Sequence, residues 1–472
     1  MGLKGGVKPW LMTTFQGTGV FRAYHALTHV APTIGNTPRE RVAAAVDGNV
    51  ALMRIPMSVR TLREFVYCFV AQFMKVVQAS HVNVLVFDEP ENLTDAKRAE
   101  QFARDSAGKA RQPTASEDFE GAPPKGDDYL LETLEQVDNV HDIIPHRPAK
   151  ARFFDEVIRQ AYPIIMRKIQ ADPFLHGTVF IVDGIDPLGA TRPIGQQRVP
   201  SVWGAEGCAL VPEFQRELPI GEGDLKLSWV QQRVRDLVQQ GALDTRLHMT
   251  ITIDTDSFAI ELCDAARRAV EGYGNGVIGV LCIPDNSRAA VALLPGDHDE
   301  TMGTPYLVCN YEGLQRRIQD YVWNAALIAG HPPPTAEQKR LCTSLIAAGW
   351  ALTGSDFVKL NGMKPDTVMS CIGDLLSIDP NFIEPMRHAW SGERSDVMKL
   401  VPVLSSLARM CSRGYALQSG AKKALVENMD RANKSDLARG AWTIAYWNGN
   451  EQMGDLHEFG FPVVSGVVAS LS

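Results

Sequence analysis

Carboxylates recur at the ends of apolar runs in this chain. Asp47 follows Ala45-Val46, Asp88 follows Leu85-Val86-Phe87, and Asp254-Thr255-Asp256 follows Ile251-Thr252-Ile253. A further word, Gly221-Glu222-Gly223-Asp224, repeats the two-residue acid spacing just before a helical stretch. In an open parallel sheet, ligands sit beyond the carboxyl ends of the strands, so strands that end in aspartate aim carboxylates at one crevice. If the backbone stays extended, Asp254 and Asp256 share a face. Such a cluster raises its own pKa values unless cations neutralise it. Hard oxygen donors suit Mg²⁺. A pair of divalent ions, Mg²⁺ or Mn²⁺, can activate a water and stabilise the leaving oxygen in phosphodiester hydrolysis. Each aspartate alone also reads as an ordinary loop former at a strand end. The ordered set along an alternating strand and helix pattern is what points to a site.

Other site chemistries find no support in the residues. The eleven histidines include no HExxH word or clustered pair, and no GxxxxGK[ST] or GxGxxG loop is present to cradle a phosphate. The eight cysteines are scattered without a CxxC pair. They read as reduced, mostly buried thiols, not as a disulfide framework or a zinc ribbon. Trp442, Tyr446 and Trp447 fall at helical spacing and read as core before base-stacking platforms. Asp155-Glu156 reads as a helix-surface pair.

The elements that must position the acids are visible as hydrophobic periodicity. Thr61-Leu62-Arg63-Glu64 is a capping box. Behind it Leu62, Phe65, Val66, Phe69, Val70, Phe73, Val76 and Val77 recur on one 3.6-period face, which predicts a core helix. The continuous run Val82 to Phe87 suits a strand buried on both faces. Thr178 to Val182, Met249 to Ile253 and Gly276 to Ile283 are further strand candidates, with helices expected over 152–170 and Leu225 to Val238. Strands alternating with helices predict an α/β fold with a mainly parallel sheet. Residues 105–128, rich in Ser, Pro, Gly, Lys and Asp, read as a linker or insertion, and 184–215 as loop. From about residue 310 the chain reads mostly helical.

The order of these words resembles the flap-endonuclease and XPG-type superfamily of 5′ nucleases, with the 5′→3′ exoribonucleases as more distant relatives. Met1-Gly2-Leu3-Lys4-Gly5 is similar to the family's Met-Gly-Ile-Lys-Gly opening. Val46-Asp47-Gly48-Asn49 resembles its first catalytic strand, and Val86-Phe87-Asp88 before Pro90 resembles its second. Gly221-Glu222-Gly223-Asp224 is similar to its paired glutamates, Asp254-Thr255-Asp256 to its next acid pair, and Gly354-Ser355-Asp356-Phe357 to its Gly-(Ser/Asn/Cys)-Asp-Tyr word. The resemblance implies a PIN-like core and a two-metal phosphodiesterase acting on DNA or RNA 5′ ends or junctions. The metal ligands it implies are Asp47, Asp88, Glu222, Asp224, Asp254, Asp256 and Asp356. It also implies cations after the second aspartate that reach the scissile phosphate, here Lys97, Arg98 and Arg104. Lys97 and Arg104 are seven apart, two helical turns on one face. Gly2 is implied to lie near the site. Lys109 with Arg111, and Arg147 with Lys150, would extend a basic track. Asp183, in Phe180-Ile181-Val182-Asp183-Gly184, rivals Asp88 for the second position; Asp88 is preferred because Lys97 and Arg104 follow it.

On this reading residues 1–104 begin the nuclease core, 105–150 form an arch-like insertion, and 151–300 continue the core. Residues 301–383 are a helical region with a reduced helix-hairpin, in which Gly362 and Lys364 remain to hold nucleic acid, and 384–472 are a helical extension. The C-terminal residues show no sliding-clamp motif. A second reading is a nuclease-like scaffold that binds RNA or protein without cutting; the full set of seven acids favours activity.

The charge fits one local site better than a coating surface. Lys plus Arg number 47 and Asp plus Glu 55, a net charge of −8. The seven candidate acids account for seven of those excess charges. A histone-like partner of DNA would need a large positive excess. The amino-terminal residues have no apolar run behind their charge to suggest a signal peptide, and no stretch approaches the roughly 20 apolar residues that span a bilayer. The expected setting is intracellular, nuclear or cytoplasmic, with no membrane partner.

Overall fold

The apolar runs that end in acid become neighbouring strands. A computed structural model describes residues 7–53, 55–56, 58–87, 147–183, 200–204, 223–254, 256–271, 276–295, 303–353, 364–389, 394–400, 402–404 and 406–407. Its strands are β1 (Phe21–Tyr24), β2 (Val42–Asp47), β3 (Val82–Val86), β4 (Val179–Asp183), β5 (Pro200–Gly204), β6 (Leu247–Ile251), β7 (Ile278–Pro284) and β8 (Tyr306–Asn310). Among the described residues they form one eight-stranded sheet in the order β1-β8-β7-β6-β2-β3-β4-β5. The central β7-β6-β2-β3-β4 set is parallel, β5 on one side and β8 on the other run antiparallel to it, and β1, antiparallel to β8, runs in the central direction again. The fold class is α/β with a mostly parallel mixed sheet.

Helices cover both faces, which is why β2 and β3 read as unbroken apolar runs. The main ones are α1 (Val7–Thr14), α2 (Gly48–Met53), α3 (Leu62–Ala79), α4 (Arg147–Ala171), α5 (Gly223–Gln239), α6 (Asp256–Glu271), α7 (Tyr311–Ile328), α8 (Ala336–Thr353) and α9 (Pro365–Ile378). The capping box forms as expected. Thr61 Oγ1 accepts from the Glu64 amide at 3.3 Å, and Glu64 Oε2 accepts from the Thr61 amide at 3.1 Å. The apolar face of α3 is buried with α4 on one face of the sheet, against Val42, Ala44, Val46, Leu85 and Phe180. The Phe73 and Phe180 rings lie 4.6 Å apart there. On the other face Leu227, Val230, Val234 and Leu237 of α5 pack on Ala43, Ala45, Val82, Val84 and Val86. Helices α6 to α9 continue that layer over Leu281, Ile283, Leu307 and Cys309.

Several elements differ from the sequence expectation. The outer strands β1, β5 and β8 were not expected, and β5 falls inside the segment read as loop. Strand β6 ends at Ile251, so Ile253 lies beyond it with its side chain 44% exposed. Helix α4 is longer than expected. Its Asp155 is buried, whereas Glu156 pairs with Arg159 at 3.5 Å on the half-exposed side. Cys263, Cys282, Cys309, Cys342 and Cys371 are buried free thiols, as their scatter suggested. No helix among the described residues is long and apolar enough to cross a membrane.

One stretch of the second face is polar. Its buried groups are His248 and Thr250 of β6, Gln231 and Arg235 of α5, Glu261, Asp264 and Arg268 of α6 and Tyr311 of α7, with the half-exposed Glu312 at its rim. Arg235 donates to the Val277 carbonyl at 2.6 Å and to Glu312 at 3.3 Å. Arg268 pairs with Asp264 and comes within 4.0 Å of Glu312. Gly279 of β7 makes the room. A Cβ there would lie 2.5 Å from the Gln231 amide end, 2.8 Å from the Tyr311 ring and 3.0 Å from the Arg235 guanidinium. The buried ring cannot yield, so Gly279→Ala should lower stability by about 2–3 kcal/mol, measured by urea unfolding at pH 7.

Candidate functional site

The five parallel strands present their carboxyl ends along one edge of the sheet. From β2 the chain winds outward through β3 and β4, then returns to the other side of β2 for β6 and β7. The winding therefore reverses between β2 and β6, the position at which an open α/β sheet leaves a crevice. Asp47 is the last residue of β2 and lies at this reversal. It is in register with Val86 of β3, while its predecessor Val46 pairs with Ile251 of β6. Because Ala43 and Ala45 face α5, strand alternation turns the Asp47 side chain to the same face. It is 8% exposed.

A single hydroxyl connects Asp47 to the next acid. Thr252 Oγ1 donates to Asp47 Oδ2 over a long 3.5 Å and accepts from the Asp254 amide at 3.0 Å. Asp254 is half-buried, just past the end of β6. Asp256 is the first residue of α6, and Asp224 is the second residue of α5. Carboxylates in a first helical turn are favoured by the partial positive charge of the helix N-terminus. The extended Asp254-Thr255-Asp256 pair expected from spacing is thus corrected. The strand has already ended at Ile251; Asp254 lies beyond it without regular structure, and Asp256 begins a helix.

Phe87, directly after β3, is held from two sides. Lys226 of α5, 1% exposed, donates from Nζ to the Phe87 carbonyl at 2.7 Å. On the opposite face the Phe87 ring lies so close to Gly48 that a Cβ on Gly48 would run into it. At the end of β7, Asp285 pairs with Lys8 of α1 at 2.7 Å and accepts from the Ser287 amide at 2.9 Å. Burial pushes the Asp285 carboxyl up, but Lys8 and Ser287 outweigh it and hold the pKa below its usual value. This pair ties α1 to the same edge.

Of the expected site residues, Asp47 and Asp254 share Thr252, and Asp224 and Asp256 begin helices at that edge. Asp88, Glu222, Asp356, Gly2, Lys97, Arg98, Arg104, Lys109, Arg111 and Gly362 lie outside the described residues. Lys364 is the exposed N-cap of α9, in the helical layer. Arg147 and Lys150 open α4. Asp183 ends β4, one strand beyond β3 and about 10 Å from β2 by strand spacing. The β3 end is the direct neighbour of Asp47. Among the described residues no group of three His, Cys, Asp or Glu is placed to hold a metal ion. The available donors are carboxylate oxygens, whose chemistry matches a hard divalent cation.

Thr252, Lys226, Gly48 and Asp285 were not singled out by sequence. Asp285 carried the same signal as the others, an acid directly after Cys282-Ile283-Pro284. Lys226 was visible only as a charge between two leucines at a helix start. No protein-family model matches the chain, and no curated protein matches it.

Proposed function

We propose that the chain is a divalent-metal-dependent 5′ nuclease with a PIN-like core, hydrolysing phosphodiester bonds at DNA or RNA 5′ ends or junctions. The observation that carries this reading is Asp47 at the reversal of the sheet, joined through Thr252 to Asp254, with two helices that begin in acid on the same edge. Two Mg²⁺ ions, held by Asp47, Asp224, Asp254 and Asp256 with Asp88, Glu222 and Asp356, would supply water activation and charge neutralisation at the phosphate. The role of the chain is placement. Thr252 orients the Asp47 carboxylate and the Asp254 backbone. Lys97 and Arg104 would grip the phosphate oxygens, Arg by two parallel donors and Lys as a compact charge.

The test offers the purified protein 5′-flap DNA, nicked duplex and single-stranded RNA, each with Mg²⁺, Mn²⁺ or EDTA, beside Asp256→Asn. Cleavage that needs metal and is lost in the variant is expected. No cleavage of any substrate in either metal would leave the non-cutting scaffold as the better reading, and equal cleavage by the variant would remove Asp256 from the site.

A further inference from the structure

We infer that the outer face of α3 and α4 is a path for single-stranded nucleic acid, with Tyr67 as the ring on which an unpaired base stacks and Arg60 and Arg63 as the cations that hold its phosphates. The inference rests on the nuclease reading and deepens it, because it gives the strand a route to the acid-rich edge. Charge is divided unevenly in this chain. The α3 and α4 sequences hold eight Lys and Arg against three Asp and Glu, although the whole chain carries −8. On the other face of the sheet α5 to α9 hold nine against eleven. The exposed charges described on the first layer are Arg60, just ahead of α3, with Arg63, Lys75, Arg167 and Lys168, against Glu64. The Glu64 carboxylate accepts from the Arg60 and Thr61 amides, and Glu156 is paired with Arg159. A positive layer on an acidic chain draws a polyanion to that layer alone.

Tyr67 marks where on this layer a strand is held. Its side chain is 51% exposed on the outer side of α3. Arg63, one turn earlier, sets its guanidinium 5.9 Å from the centre of the ring. This cation–π contact between residues four apart holds both side chains in place before a ligand arrives. A ring for a base beside a charge for its phosphate is the pairing from which sequence-tolerant single-strand sites are built. The path of the chain puts this pair near the candidate site. Helix α3 ends at Ala79, and β3 begins at Val82, level with the start of β2. An 18-residue helix is about 27 Å long and a five-residue strand about 17 Å. The first turns of α3 therefore reach past the carboxyl end of β3, to the edge where Asp47 ends β2. Phe174, 60% exposed, sits just ahead of β4 and so at the opposite edge.

Fluorescence anisotropy of labelled oligo(dT), oligo(U) and a duplex of equal length, titrated with the full chain in EDTA, reads binding without metal or cleavage. The two single strands separate DNA from RNA. A single strand should bind more tightly than the duplex, and its affinity should fall as salt rises. Tyr67→Ala should weaken single-strand binding by about 10-fold, the scale of one stacked base, and Tyr67→Trp should keep it. Arg63→Gln should lower the slope of log affinity against log salt by about 0.7, the share of one phosphate contact. Phe174→Ala, an exposed ring lost at the far edge, should change neither. Equal binding by wild type and Tyr67→Ala, an equal loss in Phe174→Ala, a preference for the duplex, or no binding of any strand at low salt overturns the path. Metal-dependent cleavage by the wild type, followed separately, leaves the nuclease reading standing in each of those cases. A chain that neither binds nor cuts overturns both.

Discussion

Asp47→Asn should reduce cleavage by about a thousand-fold or more while leaving the fold intact. Asparagine has the shape of aspartate and keeps an oxygen to accept from Thr252, so the long 3.5 Å contact survives. What it lacks is the charge that, on the proposed reading, would hold a divalent ion at the reversal of the sheet. Metal catalysis stabilises a transition state by several kcal/mol, and each 1.36 kcal/mol is a factor of ten in rate, which sets the scale of the loss. Stability should report the ion as well. Mg²⁺ should raise the melting temperature of the wild type by binding only the native state, and that rise should shrink in the variant. Single-turnover cleavage and melting curves with and without Mg²⁺ report both. Undiminished cleavage would show that the reversal of the sheet is not where the chemistry happens.

The centre of this fold was legible because its constraint is strong. Strands buried on both faces must be apolar throughout, so β2, β3 and β4 stand out, and the acids that end them mark the sheet edge. The outer strands obey a weaker rule. Strand β1 exposes Arg22, and β8 runs straight into α7 with Asn310 serving as both last strand residue and helix cap. No break in composition separates the two. The acid pair after β6 was misread because two-residue spacing fixes a shared face only while the backbone stays extended, and the start of α6 intervenes. The polar layer was hidden for a different reason. Glu261, Asp264 and Arg268 fall three and four apart on α6, and Gln231 and Arg235 four apart on α5, a pattern that equally describes a solvated helix face. Only the packing of α6 and α7 against β6 and β7 reveals that this stripe is buried.

That buried layer makes the second large prediction, a stability that depends on pH through Glu261. Glu261 is enclosed by His248 and Thr250 of β6, Gln231 and Arg235 of α5, Arg268 on its own helix, and Tyr311 and Glu312 of α7. Burial pushes its carboxyl up to about 7, against the pull of Arg268, Arg235 and the Thr250 hydroxyl. The count of charges agrees. Arg235 and Arg268 face Glu261, Asp264 and Glu312, two cations against three acids, so a proton on Glu261 balances the layer. Gln231 can serve either state. Its NH₂ group donates to the carboxylate, and turned over, its carbonyl accepts from the carboxylic acid. Because the folded pKa is raised from 4.5, the contribution of Glu261 is fully present below about 4.5 and is lost as pH rises to about 7. His248, buried with both ring nitrogens unbonded and pushed down to about 3 first by burial and then by Arg235 and Arg268, has the opposite sign. Its contribution is present above 6.5 and is lost as pH falls toward 3. Between 4.5 and 6.5 the two slopes oppose each other in the wild type. Glu261→Gln, a neutral mimic of the protonated acid, removes one of them. Urea unfolding of both proteins from pH 5 to pH 8 should show the variant gaining roughly 2.5 kcal/mol on the wild type across that range, with most of the gain complete by pH 7.5. A difference between the two that stays constant with pH would mean that Glu261 is already ionised at pH 5, held there by its two arginines.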